Sequence, residues 1–432
     1  MRPLALGIDL GTSGVRSAVI DAEGRVLAMA RSSYGASDAR RHPEAWWDAV
    51  CDCLDAQMQA LRASGDDPRR IIGIAVDGTS GSLVLTDAGL SPVTRALMYD
   101  DGGFAAEAEL IAAHAPDTHI ARGPGSALAR VLRLVAEDSK GRAVHLLHQA
   151  DFIAARLMGR GGLSDVNNAL KTGLDPATGL WPDWLRALAL PEYLLPTAHL
   201  PGAPLHRVSP AIAKRFGFTN DTMLHAGTTD SIAAFLAATD PVPGAAVTSL
   251  GTTLAVKLYT DRRIDAPELG LYSHRIGTGW LVGGASNTGG GVLKDLFDAK
   301  DLDRLSARID PSVKSSLDYY PLLRPGERFP VNDPSLAPRM TPRPADDAAF
   351  LHGLLEGMAG IELQAYEAIV ARGAPRPVRI ITAGGGAANQ TWRSIRARVL
   401  GLPVSTARMT EAAAGAAKLV IMSKDLRMMG GD

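Results

Sequence analysis

The 432-residue chain has two cysteines, Cys51 and Cys53, and only 5% aromatic residues. The thiols lie two apart in an expected helix and so point to different faces. They read as small buried side chains, not as a disulfide or metal pair, and their scarcity suits a reducing compartment. An excess of one charge is also missing: 45 Lys and Arg against 46 Asp and Glu leave a net charge of −1. That gives no electrostatic case for nucleic acid or an anionic membrane as partner. No apolar run approaches a membrane span, the best one being interrupted by Lys418. The N-terminal apolar run stops at Asp9, before a signal-peptide pattern can form. A cytoplasmic protein is expected, and its oligomeric state is unreadable. Chemical motifs are absent as well. No GxxxxGK[ST] loop is present, no GxGxxG follows the first strand, and no HExxH or zinc knuckle occurs. This sets aside P-loop enzymes, dinucleotide oxidoreductases and zinc sites.

What is present is a set of glycine turns at strand ends. Residues 8–21, IDLGTSGVRSAVID, run from one apolar strand through a turn into another. The turn carries a carboxylate (Asp9), two hydroxyls (Thr12, Ser13) and two glycines. A carboxylate suits a cation, and N–H and O–H donors suit an anion, so the turn reads as a metal-phosphate site or as a well-made surface turn. RVLAMARSSY extends the pair to a three-stranded meander, and HPEAWWDAVCDCLDAQMQALRASG follows as a helix. Trp46, Val50, Cys53, Leu54, Met58 and Leu61 form its apolar stripe, with Trp47 off it. RRIIGIAVDGTSGSLVLTD is a further strand, glycine turn and strand.

The opening plan returns after residue 223. MLHAGTTDSIAAFLAA reads as a strand, a turn containing Asp230, and a helix; Asp230 is placed either for chemistry or for capping. AVTSLGTTLAVKLYTD (246–261) repeats the strand-LGT-strand plan of residues 6–21, pairing Leu10/Leu250, Gly11/Gly251, Thr12/Thr252 and Asp21/Asp261. Where the first copy has Asp9, the second has Ser249. A duplication is expected, with domains over 1–238 and 239–432. Seven prolines between 321 and 344 predict an extended surface loop. VRIITAGGGAANQTWRSIRARVLGLPV then reads as strand, three-glycine loop, helix and strand, and EAAAGAAKLVIM as a closing helix of small residues.

DLGTSG, GTTDS, SLGTT and GGGAANQTW, in this order, resemble the FGGY carbohydrate kinases, and LLEGMAGIELQAYE is similar to that family's second signature. The resemblance spans essentially the whole chain. It implies an α/β fold of two actin-like, ribonuclease H-like domains, with a duplicated β-meander core around a central cleft. It also implies transfer of the γ-phosphate of ATP, with Mg²⁺, to a sugar or polyol hydroxyl. By motif, Asp9 would help hold Mg²⁺, Thr12 and Ser13 would lie near the transferred phosphate, and Asp230 would be the general base. Gly251 and Thr252 would meet phosphates, and Gly385, Gly386 and Asn389 would line the adenosine pocket. Trp392 would be either a wall against the base or a core residue.

The same resemblance places Ser80 on the sugar, with Asp77 contacting it or fixing the turn. MYDDGG (98–103) is similar to a Trp-x-Asp-x-Arg element, which makes Asp101 a hydroxyl acceptor although the Trp and Arg are missing here. Trp47 would cover the sugar or simply pack. DGTSGS and LSDVNNALKTGLD look closest to a ketopentose branch, D-ribulose before D-xylulose. Other polyols, an actin-like ATP-driven protein and a sugar sensor are the alternatives.

Overall fold

The computed structural model describes residues 2–35, 38–123 and 125–429. The chain forms two compact units. One comprises Met1–Ala237, Arg275–Gly277 and Glu411–Asp432; the other comprises Ala238–His274 and Thr278–Thr410.

In the first unit, Leu4–Leu10, Gly14–Ile20 and Val26–Ser33 form the expected antiparallel meander. Ile71–Gly78 adds to the other side of Leu4–Leu10 in parallel, followed by Met223–Thr229 in parallel and Pro204–Arg207 at the edge. Every residue of Leu4–Leu10 is buried, as a central strand covered on both faces requires. Helix Pro43–Ala63 buries all six residues of the expected stripe. Each such large side chain contributes about 1.5–3 kcal/mol of apolar burial. Cys53 Sγ lies 3.3 Å from Ser17 Oγ, whereas Cys51 Sγ meets Arg215, so the two thiols do serve different faces.

The closing helix, Ala412–Met429, lies on this sheet. Its small residues allow near contact of backbones: a Cβ on Gly7 would stand 1.8 Å from Ala413 O, and one on Gly415 1.8 Å from Ala233 O. Leu83–Thr86 leaves the main sheet and pairs with His145–His148 in a two-stranded ribbon.

The second unit repeats the order. Ala246–Leu250, Leu254–Thr260 and Gly279–Ser286 form an antiparallel meander, with Tyr272–Ile276 beyond it. Ile380–Ala383 and then Val404–Thr406 add in parallel beside Ala246–Leu250. The duplication is therefore a property of the fold. One equivalence read from sequence is corrected by register. Leu10 pairs with Val15, but Leu250 pairs with Leu254, so the second turn is one residue shorter. Leu6 faces Val19 and Ala246 faces Leu258, which makes Thr260, not Asp261, the counterpart of Asp21.

The proline-rich segment also departs from expectation. Phe329, Leu322 and Glu327 are buried, and Phe329 joins the core of the second unit. Glu327 accepts from Ser286 Oγ (2.5 Å), Asn287 N (2.7 Å) and Tyr320 OH (3.1 Å). The segment is a packed strap tied to the end of a meander strand. Buried acceptors need donors, and these donors are what hold it in.

Candidate active site

Three carboxylates gather at the ends of the parallel strands in the first unit. Asp9 and Asp77 are direct neighbours in register on adjacent strands. Asp77 is in turn level with Thr228, two residues before Asp230, which opens helix Asp230–Ala238. The carboxyl ends of parallel strands are where α/β sheets place their ligands. Asp9 and Asp77 are buried, and Arg16, across the hairpin, reaches Asp9 Oδ2 at 3.2 Å. Neither oxygen of Asp77 has a hydrogen-bond partner. Asp77 thus does not fix its own turn, one of the two roles expected of it. Burial pushes its carboxyl well above the usual carboxylate range, and the facing Asp9 and the charge of Asp230 push the same way against Arg16. Asp230 Oδ1 accepts from Ser231 N at 2.6 Å. Thr12 and Ser13 are exposed at the tip of the first turn.

The two loops expected on the sugar are bound to each other. Thr79 Oγ1 donates to Gln149 Oε1 at 2.7 Å, and Ser82 Oγ accepts from Tyr99 N at 3.0 Å. Between them, Ser80 Oγ is buried without a partner. Asp101 accepts from Met98 N at 2.8 Å and from the Arg41 guanidinium. Burial alone would raise Asp101, but Arg41 and the Met98 N–H hold it below its ordinary range. Arg41, outside the 98–103 element that lacks an arginine of its own, thus lies against Asp101. Its use on Asp101 means that both carboxylate oxygens already have donors. Arg130 is a further residue that sequence reading missed. It is buried and donates to the carbonyls of Gly125, Tyr99 and Asp101. Trp47 has packing contacts: it lies against the first core, with Arg156 5.5 Å above its ring.

In the second unit, the turn at 251–253 meets two glycine segments. Gly251 O accepts from Gly290 N (2.9 Å) and Thr252 O from Gly291 N (3.0 Å), a neighbour that sequence reading did not single out. Gly384, at φ +84°, brings its backbone so close that a Cβ would stand 2.5 Å from Leu250 O. Only glycine accepts both conditions. Gly385 is exposed on this loop.

Of the residues expected at the adenosine pocket, two are tied into the fold itself. Trp392 is 1% exposed and lies beneath Gly386, whose Cβ would stand 2.6 Å from its ring. It backs the loop as a core residue and offers no face to a base. Asn389 Oδ1 caps helix Gln390–Leu400 by accepting from Trp392 N, and its Nδ2 donates to Ser306 Oγ at 2.8 Å. It shapes the loop through these bonds.

Beneath both turns lies a buried ion pair. Arg396 donates to Glu362 at 2.6 and 2.7 Å and to Thr382 Oγ1 at 2.8 Å. Thr248 Oγ1 donates to Glu362 at 2.5 Å. Thr248 and Thr382 are register neighbours on the two strands that lead into the turns.

A duplicated meander sheet with carboxylates at the strand ends of one copy and glycine turns at those of the other defines the actin-like, ribonuclease H-like class of phosphotransferases. Models of the N-terminal and C-terminal domains of the FGGY family of carbohydrate kinases match residues 4–237 and 246–423. The chain belongs to the FGGY family of carbohydrate kinases. A xylulose kinase of Streptomyces rubiginosus is 27% identical over 95% of this chain and 85% of its own length. One of Escherichia coli is 24% identical over 96% and 89%. The crystal structure of a xyloylose kinase from Brucella ovis superposes with a TM-score of 0.86 at 22% identity, covering 99% of this chain and 91% of that one. Among the described residues no helix is long and apolar enough to cross a membrane.

Proposed function

We propose that this carbohydrate kinase transfers the γ-phosphate of ATP to a hydroxyl of a five-carbon ketose. The single observation that carries the mechanism is the set Asp9, Asp77 and Asp230 at neighbouring strand ends, where one buried carboxylate has no protein partner. Asp230, at the head of its helix, takes the proton of the attacking hydroxyl, as phosphoryl transfer to an alcohol requires. Ser80, whose hydroxyl has no protein partner, contacts the sugar, and Arg130 and Arg41 hold the adjoining loop in shape. Gly251, Thr252 and the 384–386 loop accept the nucleotide in the second unit.

The residues fit a magnesium ion. Among the described residues no three His, Cys, Asp or Glu side chains form a metal cluster. Magnesium is commonly held by one or two carboxylates, with phosphate oxygens and water completing its shell. Asp9 would hold it, and when bound it would offset the charge of the phosphates.

The DGTSGS turn supports D-ribulose as the acceptor, and the xylulose kinases that the chain resembles support D-xylulose. An assay of ADP release with Mg-ATP and D-ribulose, D-xylulose, L-ribulose, ribitol or glycerol separates them. Turnover that rises at least tenfold with one ketopentose is expected. Turnover indifferent to all five acceptors would overturn the proposal and favour an ATP-driven, actin-like role.

A further inference from the structure

We propose that Asp77 is the second carboxylate of the divalent-cation site, paired with Asp9 and separate from Asp230 in role. The inference rests on the carbohydrate-kinase reading above and assigns Asp77 away from the sugar. Asp9 and Asp77 are register neighbours on adjacent central strands, and their carboxyl groups face each other. Both are buried, and among the described residues no N–H or hydroxyl donates to either Asp77 oxygen, whose polar neighbour is the Asp9 carboxyl. A buried carboxylate without a donor is costly, and proteins retain such a group where a ligand completes it.

The duplicated sheet supplies the control. Ser249 and Ala383 are register neighbours at the equivalent place in the second unit. The same sheet therefore closes with a serine and an alanine there. Folding does not require the two carboxylates, and their joint presence in one copy marks a ligand. The nearby guanidinium, Arg16, is half-exposed and shared between Asp9 and Glu411. It leaves room for a divalent cation as the counter-charge of the pair.

The test is Asp77→Asn, read by electron paramagnetic resonance of Mn²⁺ retained with ADP and by thermal melting in EDTA and in Mg²⁺. The expected result is at least tenfold weaker Mn²⁺ retention by the variant. Its affinity for D-ribulose or D-xylulose, measured by calorimetry without nucleotide, stays within threefold. In EDTA the variant melts above the wild type, because one member of the facing carboxylate pair is gone, and Mg²⁺ no longer raises its melting point. Unchanged Mn²⁺ retention with lost sugar binding would overturn the proposal and return Asp77 to the sugar. Unchanged retention with a melting point at or below that of the wild type in EDTA would overturn it too. Failure of the wild type itself to retain Mn²⁺ with ADP would overturn both this assignment and the carbohydrate-kinase reading.

Discussion

The two units carry one sheet plan to two ends. At the same register, one places Asp9 beside Asp77 and the other Ser249 beside Ala383. After these positions the first copy has a four-residue turn with exposed Thr12 and Ser13. The second has a three-residue turn crowded by Gly290, Gly291 and Gly384. The carboxylate pair sits in one copy, and the turn of the other is packed by further glycine segments. The interiors differ in the same spirit. Helix Pro43–Ala63 sends a neutral Gln57 to Ser17 at 2.7 Å, whereas helix Asp347–Val370 sends Glu362 to a fully buried arginine. The two copies thus share the scaffold while the polar groups on it differ.

The sharpest way to break this comparison is at the buried groups. Arg396→Leu leaves Glu362 buried without its counter-charge, with only the Thr248 hydroxyl as donor, and about 3–5 kcal/mol of stability should be lost in denaturant titration. Adding Glu362→Leu should restore most of it, because a buried pair replaced as a whole is often nearly neutral. Ser17→Ala in the first unit, which breaks a neutral bond, should cost only about 0.5–1.5 kcal/mol. If the single Arg396 variant is no worse than Ser17→Ala, the clamp beneath the glycine turns is not structural.

Smaller effects are expected from the turns. Gly384→Ala forces a Cβ onto Leu250 O at a positive φ, a strain of about 1–3 kcal/mol. It should appear mainly as a raised KM for ATP, with KM for the sugar little changed. Gly11→Ala is the matched control. Its φ is not left-handed, and the nearest atom is the mobile end of Arg16, 3.2 Å away. Less than a threefold change in either KM is expected.

The gentlest test is a pH slope. Asp165, buried in the first unit, is pushed up to about 7 by burial and by the charge of Asp151, against hydrogen bonds from Asn168. The native state therefore holds a proton that the unfolded chain releases near pH 4. Stability contributed by this proton is complete below about pH 4 and is lost as the pH rises to about 7. One proton is worth up to about 1.4 kcal/mol per pH unit. Asp165→Asn should flatten that part of a pH–stability profile, and an unchanged slope would contradict the assignment.

Local patterns carried much of this into the sequence. The meanders, the stripe of helix Pro43–Ala63, the small-residue closing helix and the repeat of the glycine turn depend on neighbours close in the chain, and all were readable. What was not readable depends on partners far away. Asp21 and Asp261 looked equivalent until the pairing of Leu250 with Leu254 revealed the shorter turn. Trp392 looked available to a base until its burial under Gly386 was known. Arg41 meets Asp101, and Glu327 meets Ser286, across 60 and 41 residues. No spacing rule announces those contacts. The lack of partners at Asp77 and Ser80 is likewise visible only when every neighbour is in place.

The central claim, that the carboxylate-bearing copy performs the proton and metal chemistry while the glycine-turn copy holds the nucleotide, is tested most directly on Asp230→Asn. Its turnover with the preferred ketopentose should be measured beside its affinity for ADP. Turnover should fall by about 10²–10⁴-fold, the range expected for a lost general base, while ADP affinity stays within threefold. Turnover within tenfold of the wild type, or loss of ADP binding with turnover, would contradict that division.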